Sequence, residues 1–216
     1  MDRDRIFAVL RHGQRADYAI PDRPYLVRDD PPLTERGMRQ AEIAANKIYE
    51  VIGDIDDIYL ISSPFLRCIE TASKIASIKG IPIHIDERFC ETLLKKYFDS
   101  DILEILNLNT KITELENELG VKIIHNPGEN RPAYPENSDE SYARVIGAWE
   151  SVKEEHKEHK CIIIVSHCYI INKLSKHWGC KRNMINDKGL CKLAVVKYNE
   201  EYEFLFEPSS EYCKVD

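Results

Sequence analysis

The run Cys161-Ile162-Ile163-Ile164-Val165-Ser166-His167 stays apolar until its last two residues. A strand open to water on one face would alternate apolar and polar side chains. A run without alternation needs cover on both faces, the condition of a strand inside a parallel sheet flanked by helices. Other strands are read at Ile6–Leu10, Ile58–Ile61 and Ile81–Ile85, with two closing strands at Leu190–Tyr198 and Glu201–Glu207.

Helical stretches alternate with these strands. Thr34 can cap a helix in which Met38, Ala41, Ala45, Ile48 and Ile52 recur at amphipathic spacing. Ser63 followed by Pro64 reads as the start of a second helix, reaching about Ile78. Two short helices are expected around Asp101–Asn107 and Thr110–Leu119, and a longer one opens at Ser138 and reaches about His156. Asp17–Pro32 reads as a loop because prolines crowd it, and a second loop holds Pro127, Pro132 and Pro135. Strands alternating with helices predict a mainly parallel sheet covered on both faces. No repeat or low-complexity linker divides the chain, so one domain over 1–216 is expected, with an insertion at about 93–137.

The net charge of −7 argues against a nucleic-acid binder or an anionic-membrane binder, whose basic footprint would show. No apolar run approaches a membrane span, and the N-terminus lacks the pattern of a signal peptide. Seven cysteines without a CxxC pair read as reduced thiols of a cytoplasmic protein.

In an open α/β sheet, ligands bind beyond the carboxyl ends of the strands. Arg11 and His12 follow the first strand, and Arg15 lies just beyond. Ser62 to Arg67 follows the second, Glu91 lies past the third, and His167 ends the run described above. Singly, each has a plain structural reading: a strand-end histidine, a solvated or paired arginine, a surface carboxylate, a helix cap. Together, histidines, arginines and a carboxylate on one sheet edge would suit phosphate oxygens.

The segments RHG at 11–13, PLTERGMRQA at 32–41, SPFLRCIETA at 63–72 and SH at 166–167 resemble, in order and spacing, the histidine phosphatase superfamily, the phosphoglycerate-mutase-like group. The resemblance implies a three-layer α/β/α sandwich with a mainly parallel central sheet. It implies a nucleophilic His12 in a phosphate pocket of Arg11, Arg67 and His167. Arg15, the proline-containing loop and ESYARV at 140–145 look most like the phosphatase domains of suppressor-of-T-cell-receptor-signalling proteins. In that group the residue matching Arg15 also contacts phosphate, and the acid maps onto Glu91 in DERFCET, with Glu87 as its rival. Cys168 stands where the family commonly has glycine.

The implied chemistry is hydrolysis of phosphate monoesters through a phosphohistidine on His12, with Glu91 as general acid and then base, and with no metal or cofactor. The substrate would be a phosphorylated small molecule or a phosphoprotein, with no nucleic acid or membrane as partner. A phosphoglycerate mutase is the alternative enzyme. A phosphoprotein-binding module without activity is the alternative of another class. His156 and His159 in EEHKEHK sit at helical spacing and could bind a metal, but such a charge-rich run reads more simply as a solvated face.

Overall fold

The computed structural model of the chain describes all residues except 1–3, 20–24, 26, 107, 127–130, 185–186 and 216. Its elements in chain order are β1 (Arg5–Arg11), α1 (Ala16–Ala19), α2 (Glu35–Ile52), β2 (Ile58–Ser62), α3 (Leu66–Lys79) and β3 (Ile83–Ile85). A 3-10 turn (Glu87–Phe89) leads to α4 (Ile102–Leu106). A second (Leu108–Thr110) leads to α5 (Ile112–Leu119) and β4 (Ile123–His125). Then come α6 (Ser138–Glu155), β5 (Cys161–Ser166), α7 (Cys168–His177), β6 (Leu193–Asn199) and β7 (Glu201–Ser209).

The strands form one sheet in the order β4-β3-β2-β5-β1-β6-β7. The pairs β1–β5, β5–β2, β2–β3 and β3–β4 are parallel, whereas β6 and β7 close the other side antiparallel. Strand periodicity splits the core in two. Ala8, Leu10, Ile163 and Val165 pack with Ala45, Ile48, Ala72 and Ile75 of α2 and α3. Phe7, Val9, Ile162 and Ile164 pack with Val145, Trp149, Ile171 and Leu174 of α6 and α7. The chain is thus a three-layer α/β/α sandwich, and the apolar run of β5 is explained by cover on both faces.

Local signals account for most helix ends. Thr34 caps α2, its Oγ1 accepting from the Gly37 N–H at 2.9 Å. Asn137 and Glu140 form a capping box ahead of α6. The start of α3 differs from expectation. The helix begins at Leu66, not at Ser63–Pro64, and its Phe65 cap position supplies no side-chain bond. The Leu66 N–H instead donates to Asp30 Oδ1 at 2.8 Å, a partner from a distant loop. Ser63 is not a cap because its hydroxyl is engaged by a histidine, described below.

The strand β4 and the helices α1 and α7 are also beyond the sequence expectations. β4 spans only three residues, and α1 is a single turn inside the proline-rich loop. Part of that loop, and Pro127 of the later one, lie outside the described residues. Among the described residues no helix is long and apolar enough to cross a membrane.

Candidate active site

β1 and β5 are neighbours, with Arg11 opposite Ser166. The residues that follow them, His12 and His167, therefore leave the sheet side by side. The His12 N–H donates to the Ser166 carbonyl at 3.0 Å, and the two imidazole rings stand edge to face with centroids 5.4 Å apart. Both histidines are buried, as are Arg11 and Arg67.

His12 Nδ1 lies 2.7 Å from the Gly13 carbonyl oxygen. A carbonyl can only accept, so Nδ1 carries the proton and Nε2 keeps its lone pair. Burial, then the charges of Arg67 and Arg11, push the His12 pKa well below its ordinary value, outweighing the opposing pull of the Gly13 carbonyl. The ring is neutral at neutral pH, with one nitrogen available as a nucleophile.

The PLTERGMRQA segment holds this loop in place. The Gln14 N–H donates to Gln40 Oε1 at 2.9 Å, and the Thr34 N–H donates to the Gln14 carbonyl at 2.9 Å. The Thr34 hydroxyl also donates to Gln14 Oε1 at 2.9 Å. From α3, Thr71 Oγ1 accepts the Gly13 N–H at 3.2 Å while donating to the Arg67 carbonyl at 2.7 Å.

Arg67 enters in the first turn of α3. It lies 3.6 Å from Asp30 Oδ1, and its guanidinium stands 4.3 Å over the Phe65 ring. Burial outweighs Arg67 and raises the Asp30 carboxyl to about 6. Arg11 donates to the Lys188 carbonyl. The buried Nε–H groups of Arg11 and Arg67 have no hydrogen-bond partner among the described residues. Arg15 is paired with Asp17 through Nε at 2.9 Å and a second nitrogen at 2.5 Å, yet its charge still reaches His12 and His167.

His167 Nε2 lies 2.8 Å from Ser63 Oγ, and its Nδ1 faces an Arg67 amino group at 3.4 Å. The guanidinium can only donate, so Nδ1 accepts and Nε2–H donates to the serine. Burial, Arg67 and His12 keep the His167 pKa well below its ordinary value.

The two carboxylate candidates separate. Glu91 Oε2 stands 3.7 Å from His167 Nδ1. Glu87 turns away, 3.4 Å from His125 Nε2, and lines a different, polar cavity with His84, Arg88 and His156. His12, Arg11, Arg67, His167 and Glu91 are thus brought together, with Arg15 alongside.

Asp30 answers the expectation of a paired arginine by lying against Arg67, whereas Ser63, Thr71 and Gly37 were missed as parts of this constellation. So was the segment 187–192, in which the buried Lys192 ammonium bonds the Asp187 carbonyl and Asn172 Oδ1, the latter at 3.1 Å. Thr71 and Gly37 stood inside the quoted motifs. The Ser63–His167 and Lys192 contacts link positions with no local signal. Cys168 faces the same segment, its Sγ 3.7 Å from the Asp187 carbonyl.

Residues 7–203 match the sequence profile described as the histidine phosphatase superfamily (branch 1). The transcription factor tau 55 kDa subunit of Saccharomyces cerevisiae is 25% identical over 184 residues, which cover 74% of this chain and 37% of that protein. The glucosyl-3-phosphoglycerate phosphatase of Mycobacterium tuberculosis is 36% identical over 92 residues, 43% of this chain and 39% of that one. The matched region spans well under half the length of these curated relatives. Among solved structures, the ecdysone phosphate phosphatase of Bombyx mori in complex with tungstate has a TM-score of 0.66 at 18% identity, covering 98% of this chain and 94% of that one. A phosphoglycerate mutase from Bacillus anthracis has a TM-score of 0.63 at 16% identity, covering 97% and 94%. At such identities the likeness concerns the fold.

Proposed function

The chain belongs to the histidine phosphatase superfamily (branch 1), and we propose that it hydrolyses phosphate monoesters through a phosphohistidine on His12. One observation carries this reading. A buried, neutral imidazole with a free Nε2 lone pair stands beside buried arginines whose Nε–H groups have no acceptor among the described residues. Buried donors without acceptors are costly, and a phosphate dianion would satisfy them.

In the proposed reaction, Nε2 of His12 attacks phosphorus as the bond to the leaving oxygen breaks. Glu91, protonated, gives its proton to that oxygen. A water then attacks the phosphohistidine, loses its proton to Glu91 and releases inorganic phosphate and free His12. Arg11, Arg67 and His167 stabilise charge on the equatorial oxygens, with Arg15 adding positive potential. No step requires a metal. The substrate would be a phosphorylated small molecule or phosphoprotein met in the cytoplasm.

The test is a rapid mix with labelled aryl phosphate, quenched in alkali, where a phosphoramidate persists. Label should fall on the peptide containing RHGQR. His12→Ala should lose both label and turnover, whereas His167→Ala should lose rate but keep some label. Full turnover by His12→Ala would remove the mechanism. The name of the tau 55 kDa relative favours one second reading, a phosphate-binding module without turnover. Tight binding of inorganic phosphate with neither label nor turnover would select it.

A further inference from the structure

We propose that the C-terminal end of α6 carries a divalent transition-metal site made of His156, Glu158 and His159. The charge-rich run reads as a solvated face, and in the structure Glu158 is exposed while His156 and His159 are half-buried. Donor atoms of the three residues lie within 4.8 Å of one another. His159 Nε2 and Glu158 Oε1 are 3.6 Å apart. A zinc ion bonded at about 2.0–2.2 Å would set tetrahedral ligands roughly 3.4 Å from each other, so little movement closes the set.

The surroundings fix these side chains. His159 Nδ1 lies 2.6 Å from Asp57 Oδ1, and its Nε2 is directed to Glu158. A carboxylate behind a ligating imidazole is the usual outer partner of a metal-bound histidine. Asp57 is itself held, accepting the Lys160 N–H at 3.1 Å through Oδ2. The His156 ring stacks on Tyr59 with centroids 3.7 Å apart. Arg5 clamps the backbone, donating to the carbonyls of Lys153, His156 and His159 at 2.9, 2.8 and 3.0 Å.

Two imidazoles and one carboxylate suit zinc, nickel or copper rather than magnesium or calcium, which take oxygen ligands. The site precedes β5 and lies beside the residue before β2, at the sheet end opposite His12 and His167. A metal there would tie α6 to the starts of two central strands and leave the phosphate chemistry untouched.

The full chain, stripped with EDTA and dialysed, is titrated with zinc chloride against a chromophoric chelator. One equivalent should bind with micromolar or tighter affinity. His156→Ala and His159→Ala should each weaken binding at least tenfold. Asp57→Asn should weaken it about 10- to 100-fold although Asp57 is not a ligand. Glu158→Gln, at an exposed position, should fold normally, weaken binding and lose the rise in melting temperature that zinc gives the unaltered chain. Turnover on an aryl phosphate should be indifferent to EDTA. Absence of saturable binding at one equivalent overturns the proposal. So does binding unchanged in His156→Ala, His159→Ala and Glu158→Gln, or equal affinity for magnesium.

Discussion

A Cβ added to Gly13 would stand 2.5 Å from the carbonyl oxygen of Gly37, and one added to Gly37 would stand 2.4 Å from the carbonyl oxygen of Gln14. The loop after β1 and the first turn of α2 therefore meet backbone to backbone, a contact closed to any residue with a side chain.

Gly37→Ala tests this contact, because Gly37 has no role in the chemistry. The new methyl must push the loop that carries His12, and overpacking of this kind costs about 1–3 kcal/mol. A displacement of the nucleophile by roughly 1 Å can lower turnover about 100-fold. Urea unfolding and aryl phosphate turnover should both fall. Wild-type values for both would mean that the loop yields freely and that the contact does not position His12.

Glu91→Gln should slow hydrolysis of an alkyl phosphate by about 100- to 10,000-fold, since its leaving oxygen needs a proton. An aryl phosphate should suffer less. Glu87→Gln should leave both near wild type, because Glu87 faces His125 and not His167. A crippled Glu87→Gln with an active Glu91→Gln would reverse the assignment.

The sheet was legible where burial on both faces erased alternation, as in Cys161–Val165, and where capping chemistry is local, as at Thr34. It was illegible where an element is too short to show a period. Ile123–His125 gains its strand character from pairing with Ile83–Ile85. The α3 start moved because the donor at Leu66 is satisfied by Asp30, 36 positions away, rather than by a neighbour. The site shows the same division. His12, Arg11, Arg67 and His167 stand at strand ends or first turns, where topology alone directs them. Ser63 looks like an ordinary helix-start serine until the fold brings it to His167, 104 positions on. The contacts of His156 and His159 with Asp57, Tyr59 and Arg5 were illegible because none of these partners is near them in sequence.

Folding stability should fall in acid through His12. Its pKa in the folded state lies well below the ordinary value of 6.5, mainly through burial and Arg67. Below pH 6.5 the unfolded chain binds a proton that the folded imidazole refuses. Stability then drops by about 1.4 kcal/mol per pH unit until the depressed folded pKa is reached. Asp30 and Glu70 oppose this trend, since burial holds them up to about 6 and about 7 and the folded state takes their protons first. The measurement is therefore a difference. Urea unfolding between pH 5 and pH 7 should show a steeper acid loss for the unaltered chain than for His12→Gln. Parallel profiles would mean that His12 is protonated in the folded state.

Ser63→Ala separates the tautomer of His167 from the rest of the pocket. Ser63 Oγ accepts the Nε2–H of His167 at 2.8 Å, and Arg67 faces the other nitrogen. Without the hydroxyl, a buried N–H loses its acceptor, which costs about 1–3 kcal/mol. Among the described residues a nearby substitute is Cys68 Sγ at 3.6 Å from Nε2, a weak acceptor. The ring is then free to turn or to move its proton to Nδ1, and Arg67 would lose an acceptor as well. Charge stabilisation on the equatorial oxygens should weaken, whereas the nucleophile, held by Gly13, is undisturbed. Ser63→Ala should therefore still carry label on His12 after an alkaline quench, with kcat lowered about tenfold or more and KM for an aryl phosphate changed less. Ser63→Cys, which keeps a group at the same place, should fall between the two. An unchanged kcat in Ser63→Ala would show that His167 needs no fixed tautomer. Complete loss of label would place Ser63 in the attack on phosphorus itself.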